Sequence, residues 1–318
     1  MGQETIISET IRITDKNAQL DAACKRLLSI KIILAWIMKS CLEEYRNFDV
    51  NEIAEKYIEG EPVVGKVAVA PDETNAVQRV HGMGSEDTSL TEGTVTYDIR
   101  FLAAVPVSGE LIRLIVNVEA QGDFYPGYPL TKRGIYYCCR MISAQHGTEF
   151  ADSHYQDIKK VCSIWIAIKP PQERQNTITR YHIVEENMVG QVTEPIRNYD
   201  LMTLLMICLG QPENTDCDIL KLLDVLLSSE IEATEKQQVL QNDFGIPMTR
   251  ELEGGLQDMC NLGEVIERES IAKGIAKGII MSIKNLMDNT GWPVEQAMAT
   301  LGVPKEDWSK YIELLAMQ

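Results

Sequence analysis

The stretch that decides the fold runs from Leu111 to Ser143, LIRLIVNVEAQGDFYPGYPLTKRGIYYCCRMIS. Its first ten residues, Leu111–Ala120, are rich in β-branched side chains at the period of a strand. Pro126-Gly127-Tyr128-Pro129 then breaks the chain, because proline lacks an amide hydrogen and glycine opens backbone regions closed to other residues. Helical spacing takes over for about Leu130–Gln145. Strand, tight turn and helix in that order is a building unit of α/β domains.

The neighbouring segments extend this unit in both directions. Upstream, Thr94–Val105 (TVTYDIRFLAAV) predicts a second strand, joined to Leu111–Ala120 by a hairpin turn at Ser108-Gly109. Val63–Val69 predicts a shorter strand, and Pro71–Glu92 a polar loop or loose hairpin. Residues 15–46 open with a helix pattern, capped by Asp15 or Asn17, in which Leu20, Cys24, Leu27, Leu34 and Met38 share a face. Val50–Tyr57 follows as a short amphipathic helix. Downstream, Lys160–Ile168 (KVCSIWIAI) is a nearly continuous apolar run ended by Pro170-Pro171, the mark of a strand covered on both faces. Tyr181–Val184 adds an edge strand.

From Tyr199 the pattern changes. Leu201–Leu209, Asp218–Ser229 and Ile231–Gln241 are expected as successive helices, with a softer region over Pro247–Gly263. A new helix from Glu264 carries the repeat IAKGIAKG (Ile271–Gly278), whose small residues suit close approach of a partner helix. Pro293–Leu315 closes as a helix, a Gly302-Val303-Pro304 turn and a helix. The expectation is an α/β core over residues 1–198, a helical subdomain over 199–262, and C-terminal helices over 263–318 ending in a helix-turn-helix-like pair. The closing helix sets Glu306, Asp307 and Glu313 against Lys305 and Lys310, which favours packing or homo-oligomer contacts over reading of a DNA groove.

Composition excludes several classes. The chain has 318 residues, 45% hydrophobic and 24% charged, which rules out wholesale disorder. The longest apolar stretches are too short to span a bilayer, and the start has neither a signal peptide nor a myristoylation pattern, so a soluble cytoplasmic protein with no membrane partner is expected. Net charge is −17, which argues against a general nucleic-acid coat. The charge is uneven, however. Leu205–Glu269 holds about 14 acids and 4 bases, whereas Tyr125–Arg180 holds about 4 acids and 8 bases. The eight cysteines form no CxxC pair and are expected as reduced, mostly buried residues. The four histidines show no metal-ligand spacing, and the chain holds no GxxxxGK[ST], GxSxG or HExxH.

Chemistry gathers on the two central strands. Asp98 stands in Tyr-Asp-Ile-Arg-Phe, and Glu119 and Gln121 in Val-Glu-Ala-Gln. Residues two apart on a strand face the same side, so Glu119 and Gln121 point together. Pairing of the strands brings Asp98 close to Glu119. Carboxylates among apolar residues need compensation, which a hard divalent cation such as Mg²⁺ (or Mn²⁺) provides, with the Ala120 backbone carbonyl and waters completing an oxygen shell. From the pattern alone, the same residues read more readily as solvated strand ends, since a D…ExQ pattern is short.

The strings YDIRF, LIVNVEAQGDFYPGYPLTKRGIYYCCRMIS and KKVCSIWI resemble the bacterial PD-(D/E)XK nuclease-like family of recombination-promoting nucleases and transposase-like proteins. The resemblance covers about Asp15 to Pro171, and the KGIAKG helix and closing helix pair resemble the tails of that family. It implies a restriction-endonuclease-like core, a mixed central sheet flanked by helices, with an α-helical C-terminal extension. It also implies metal-dependent cleavage of DNA. Residue by residue, the first aspartate falls on Asp98 and the second acid on Glu119. The lysine position falls on Gln121, a departure from the general pattern that leaves proton handling open. Lys132, on the following helix, is a candidate to supply the missing charge or else a solvated helix lysine. Asp21 is the candidate for an acid from the first helix, or else a first-turn acid favourable to the helix dipole. Lys132, Arg133, Arg140 and Tyr125 are the candidate DNA contacts, with Tyr125 and Tyr128 able to stack on sugar or base or to pack. Two other readings stand beside the nuclease: a catalytically inactive nuclease fold serving as a binding or regulatory module, and a helical scaffold whose C-terminal half is the working part.

Overall fold

A computed structural model describes residues 18–64, 86–89, 93–96, 98–107, 110–122, 124–211 and 214–316. The chain divides into two compact units, Met1–Cys260 and Asn261–Gln318. The first is α/β with a mixed six-stranded sheet. Its strands are β1 (Ile58–Val64), β4 (Ile99–Val107), β5 (Glu110–Gln121), β6 (Val161–Ala167), β7 (Thr177–His182) and β8 (Met202–Cys208), in the order β1-β4-β5-β6-β8-β7. β5, β6 and β8 are parallel, and the other neighbours antiparallel. A separate two-stranded ribbon pairs β2 (Glu86–Ser89) with β3 (Gly93–Thr96).

β6 is the centre of the architecture. All seven of its residues are buried, and it is paired on both sides. One face packs under helix α4 (Leu130–Ser143): Trp165 and Ala167 from β6, Leu204 and Met206 from β8 and Ile115 from β5 meet Tyr137, Cys138 and Met141. The opposite face, carrying Cys162, Ile164, Ile166, Leu205 and Ile207, is buried as well. This double cover explains why β6 reads as a continuous apolar run.

The N-terminal helices are α1 (residues 18–28) and α2 (Lys31–Cys41). They are separate because the Ser29 hydroxyl turns back onto the Arg26 carbonyl at 2.7 Å and Ile30 is extended. The region just after α2 docks on the sheet, where the Tyr45 hydroxyl donates to the Ala104 carbonyl at 2.8 Å. A short turn, α3 (Val50–Glu52), is capped by Asp49 and continues as a wider π-turn over Ile53–Tyr57. Helices α5 (Asp218–Leu227) and α6 (Ala233–Asn242) follow the sheet. A 41-residue helix, α7 (Arg250–Thr290), runs from the first unit into the second. In the second unit Ile280 and Ile283 of α7 form a core with Ala297 and Met298 of α8 (Val294–Thr300) and Tyr311 of α9 (Trp308–Ala316). No helix of the described residues is long and apolar enough to cross a membrane.

Several expectations need correction. Leu201–Leu209, expected as a helix, is strand β8, so the region after Tyr199 contributes to the sheet. A short apolar run buried on both sides has no period that separates strand from helix. Thr94–Val105 is not one strand: β3 and β4 belong to different sheets, and Asp98 sits in the bend between them. Pro247–Gly263 is not soft, since α7 begins at Arg250 and absorbs Gly254 and Gly255. The cysteines are all free, but Cys139 and Cys217 are exposed. The capping residues Asp15 and Asn17, the strand beyond Val64, most of the 71–92 loop and the Ser108-Gly109 turn lie outside the described residues.

Candidate functional site

The register of β4 on β5 pairs Ile99 with Val118, which sets Asp98 opposite Glu119 at the ends of the two strands. The pair is locked reciprocally. The Asp98 amide donates to Glu119 Oε1 at 3.1 Å, and the Ala120 amide donates to Asp98 Oδ2 at 3.1 Å. Where the backbone ladder stops, side-chain oxygens accept the amide hydrogens that would otherwise be orphaned. The amide and carbonyl of a strand residue point to the same side, so the Ala120 carbonyl also faces the Asp98 side of β5.

Lys25 of α1 completes the cluster. Its ammonium lies 2.9 Å from Asp98 Oδ1 and 2.6 Å from Asp21 Oδ2, one helical turn earlier. Lys25 is 8% exposed and Glu119 4%, so both are effectively inside the protein. Burial pushes the Asp98 carboxyl above its ordinary value, and Lys25 only partly restores it. Burial alone would lower the Lys25 ammonium, but the charge of Asp98 and the hydrogen bonds to Asp21 and Asp98 outweigh it and hold the group above its usual value. The ammonium is therefore firmly charged.

Glu119 shares its face of the sheet with Trp165, its register partner on β6, and with the first turns of α4. There Arg133 donates from Nε (3.2 Å) and Nη2 (2.7 Å) to the Tyr137 hydroxyl, and from Nη1 (3.0 Å) to the Tyr128 hydroxyl. Its guanidinium carbon is 5.2 Å from the Trp165 ring. Burial opposes the Arg133 charge, while the Tyr137 hydrogen bond and the nearby charge of Glu119 favour it. Burial, followed by the charge of Glu119, raises the Tyr137 hydroxyl.

The structure brings together Asp98, Glu119, Ala120 and Asp21, with Gln121 half-buried on the Glu119 face. Lys132 is exposed on α4, whereas the adjacent Arg133 is half-buried among Tyr128, Tyr137 and Trp165, where its charge couples to Glu119. Arg140 is buried, with Nη1 donating to the Tyr136 hydroxyl at 3.1 Å. Tyr125 is 63% exposed and meets Phe124 edge-on at 5.0 Å. Sequence reading missed Lys25. The available signal was the Asp21-x-x-x-Lys25 spacing, with Lys25 set beside Cys24 and Leu28 on an otherwise apolar face.

Among the described residues no group of three or more His, Cys, Asp or Glu side chains is gathered around one point as a metal cage. What the site offers is two carboxylates and a carbonyl, all hard oxygen donors of the kind Mg²⁺ takes. Two acids, Asp21 and Asp98, are bridged to the Lys25 ammonium, and Glu119 is tied to Asp98 through its amide. The charge of Arg133 couples to Glu119, and Arg100, buried on β4 opposite Asn117, lies on the same face of the sheet. The acids and cations are equal in number, and a small cation held by Asp98, Glu119 and the Ala120 carbonyl fits the donor chemistry. No protein-family model, curated protein or solved structure matches the chain.

Proposed function

We propose that this chain is a divalent-metal-dependent DNA endonuclease built on a restriction-endonuclease-like core, of the kind used in recombination or transposition. The observation that carries the reading is the locked pair of Asp98 and Glu119 on adjacent strands, with Glu119 buried. A bound Mg²⁺ or Mn²⁺ would supply an acidified water, a polarised phosphoryl oxygen and a neutralised leaving oxygen. Asp98, Glu119 and the Ala120 carbonyl would hold it. The chain's own groups do the rest. Gln121 orients the attacking water or a phosphate oxygen through its amide, which cannot accept a proton as a base. Lys25 fixes the Asp98 carboxylate and favours its charged form. Arg133, held by Tyr128 and Tyr137, adds positive charge on the Glu119 side.

The same geometry favours a second reading through one observation: Lys25 already compensates Asp98. With Gln121 in the lysine position, the fold could serve as a binding module without chemistry. Plasmid nicking in Mg²⁺ or Mn²⁺ decides between the two. For the nuclease, Asp98→Ala and Glu119→Ala each lower nicking by on the order of 100-fold or more, and the wild-type melting temperature rises when metal is added. Absence of nicking with no thermal shift leaves the binding module. Nicking that survives both substitutions overturns the site. In this reading the protein works in the cytoplasm, and the helices of the second unit are a surface for self-association.

A further inference from the structure

A second surface lies directly beyond the acid pair. The chain leaves β5 at Gln121 and crosses to α4 through a turn whose aromatic rings are displayed rather than buried. Tyr125 is 63% exposed and Tyr128 45%. Pro126 and Pro129 restrict this turn, and Gly127 takes the φ of +94° that lets the backbone reverse between them. Rings held this stiffly lose little freedom when they meet a ligand.

Cations surround the rings. Arg133 holds the Tyr128 hydroxyl at 3.0 Å. Arg174, from the loop after β6, places its guanidinium 5.3 Å from the ring of Phe124, which in turn meets Tyr125 edge-on. This contact shows that the loops after β5 and β6 touch at the end of the sheet that carries Gln121. Exposed Lys132 stands in the first turn of α4 and exposed Lys169 in the loop after β6. Four cations, Lys132, Arg133, Lys169 and Arg174, lie on or beside these two segments, with Glu173 next to Arg174, in a chain of net charge −17. That local excess of cations suits a polyanion.

Exposed rings interleaved with cations match one ligand chemistry above others. The rings stack on base faces while the cations follow phosphates. A duplex keeps its base faces stacked inside, and only unpaired nucleotides present them. We propose that the Phe124–Pro129 turn, with Arg133 and Arg174, is a platform for unpaired nucleotides, so that the preferred DNA is single-stranded or carries a single-stranded flap or gap beside the cut. The proposal rests on the nuclease reading for its placement next to a scissile phosphate, but binding at the platform does not require cleavage.

The test uses the full chain in EDTA, with fluorescence anisotropy of a fluorescein-labelled mixed-sequence oligonucleotide of about 20 nucleotides, single-stranded or annealed as a blunt duplex. Single strand is expected to bind roughly 10-fold or more tightly than duplex. The Tyr125→Leu/Tyr128→Leu double variant should lose roughly 10-fold of single-strand affinity while duplex affinity holds. Equal or tighter duplex binding overturns the proposal, as does unchanged single-strand affinity in a variant that melts like the parent. Tyr125→Leu alone, at the more exposed ring, replaces the double variant if that one melts early, with the same loss expected and the same unchanged affinity overturning the platform. Cleavage in Mg²⁺ is scored separately. Plasmid nicking without single-strand preference removes the platform and keeps the nuclease. Single-strand preference without cleavage in Mg²⁺ or Mn²⁺ keeps the platform and removes the nuclease.

Discussion

Lys25 carries a full charge at 8% exposure, and its two carboxylate partners are the reason it can. Replacing it with methionine keeps the volume but leaves Asp98 buried without its ion pair. Breaking such a pair by deleting one partner costs about 3 kcal/mol. The pH dependence has a definite sign. The Asp98 carboxyl is raised above its ordinary 3.8 by burial, so the native state holds that proton more tightly than the unfolded chain. Stability contributed by this group therefore falls as pH rises from about 3.8 through the raised value. Without Lys25 that window widens upward. In EDTA, urea unfolding of Lys25→Met should show a deficit that shrinks as pH is lowered from neutral and Asp98 takes up its proton. A deficit unchanged with pH would mean that Lys25 matters to packing and not to Asp98. At this scale the acids were legible in the sequence, because carboxylates inside strand patterns stand out. Lys25 was not, since its partner lies 73 positions away and only the bend at Asp98 brings them together. Arg133 rather than Lys132 turns toward the sheet for a related reason: adjacent helical residues point about 100° apart, and a small phase error decides which one turns inward.

At the scale of elements, α4 determines where Arg133 stands, and α4 lies on the sheet through Gly134. A Cβ added there would meet Leu204 Cδ1 at 2.6 Å and Trp165 Nε1 at 3.1 Å. Both neighbours are fully buried, so neither yields freely. Gly134→Ala is expected to destabilise by about 1–3 kcal/mol, read as a lowered melting temperature. Gly122→Ala is the control, because a Cβ there has nothing within 4 Å. The strands β5 and β6 and the helix α4 were legible through alternation, a bounded apolar run and helical spacing. β8 was not, as burial on both sides removed the pattern that marks a strand. The early part of α7 was hidden differently: Gly254-Gly255 reads as a break, yet a Cβ at Gly255 would come within 2.6 Å of Leu27 Cδ2. That glycine serves close packing against α1.

For the molecule as a whole, the two units each contain their own apolar core, one around Trp165 and one around Ile280, Ile283 and Met298. A chain ended at Cys260 retains every strand of the sheet and every residue of the acid cluster. It should unfold as one cooperative transition with a melting temperature near that of the full chain, and on the nuclease reading it should nick plasmid as the full chain does. Sedimentation of the two forms then reports on the helices that were removed: a drop in copy number assigns self-association to Asn261–Gln318. Loss of cooperative unfolding would show that the first unit needs the second.

The position of β6 has a consequence for how the acid pair is supported. Its seven backbone amides are walled in by a strand on each side and by packed layers above and below. Solvent deuterium can reach them only through openings that dismantle the sheet, whereas the outer rim at β7 is exposed at every residue but Tyr181. Glu119 belongs to the strand alongside this slowest-exchanging part of the chain. The groups argued to do chemistry are thereby anchored at one end to rigid ground, while the tyrosines a few residues on face the solvent.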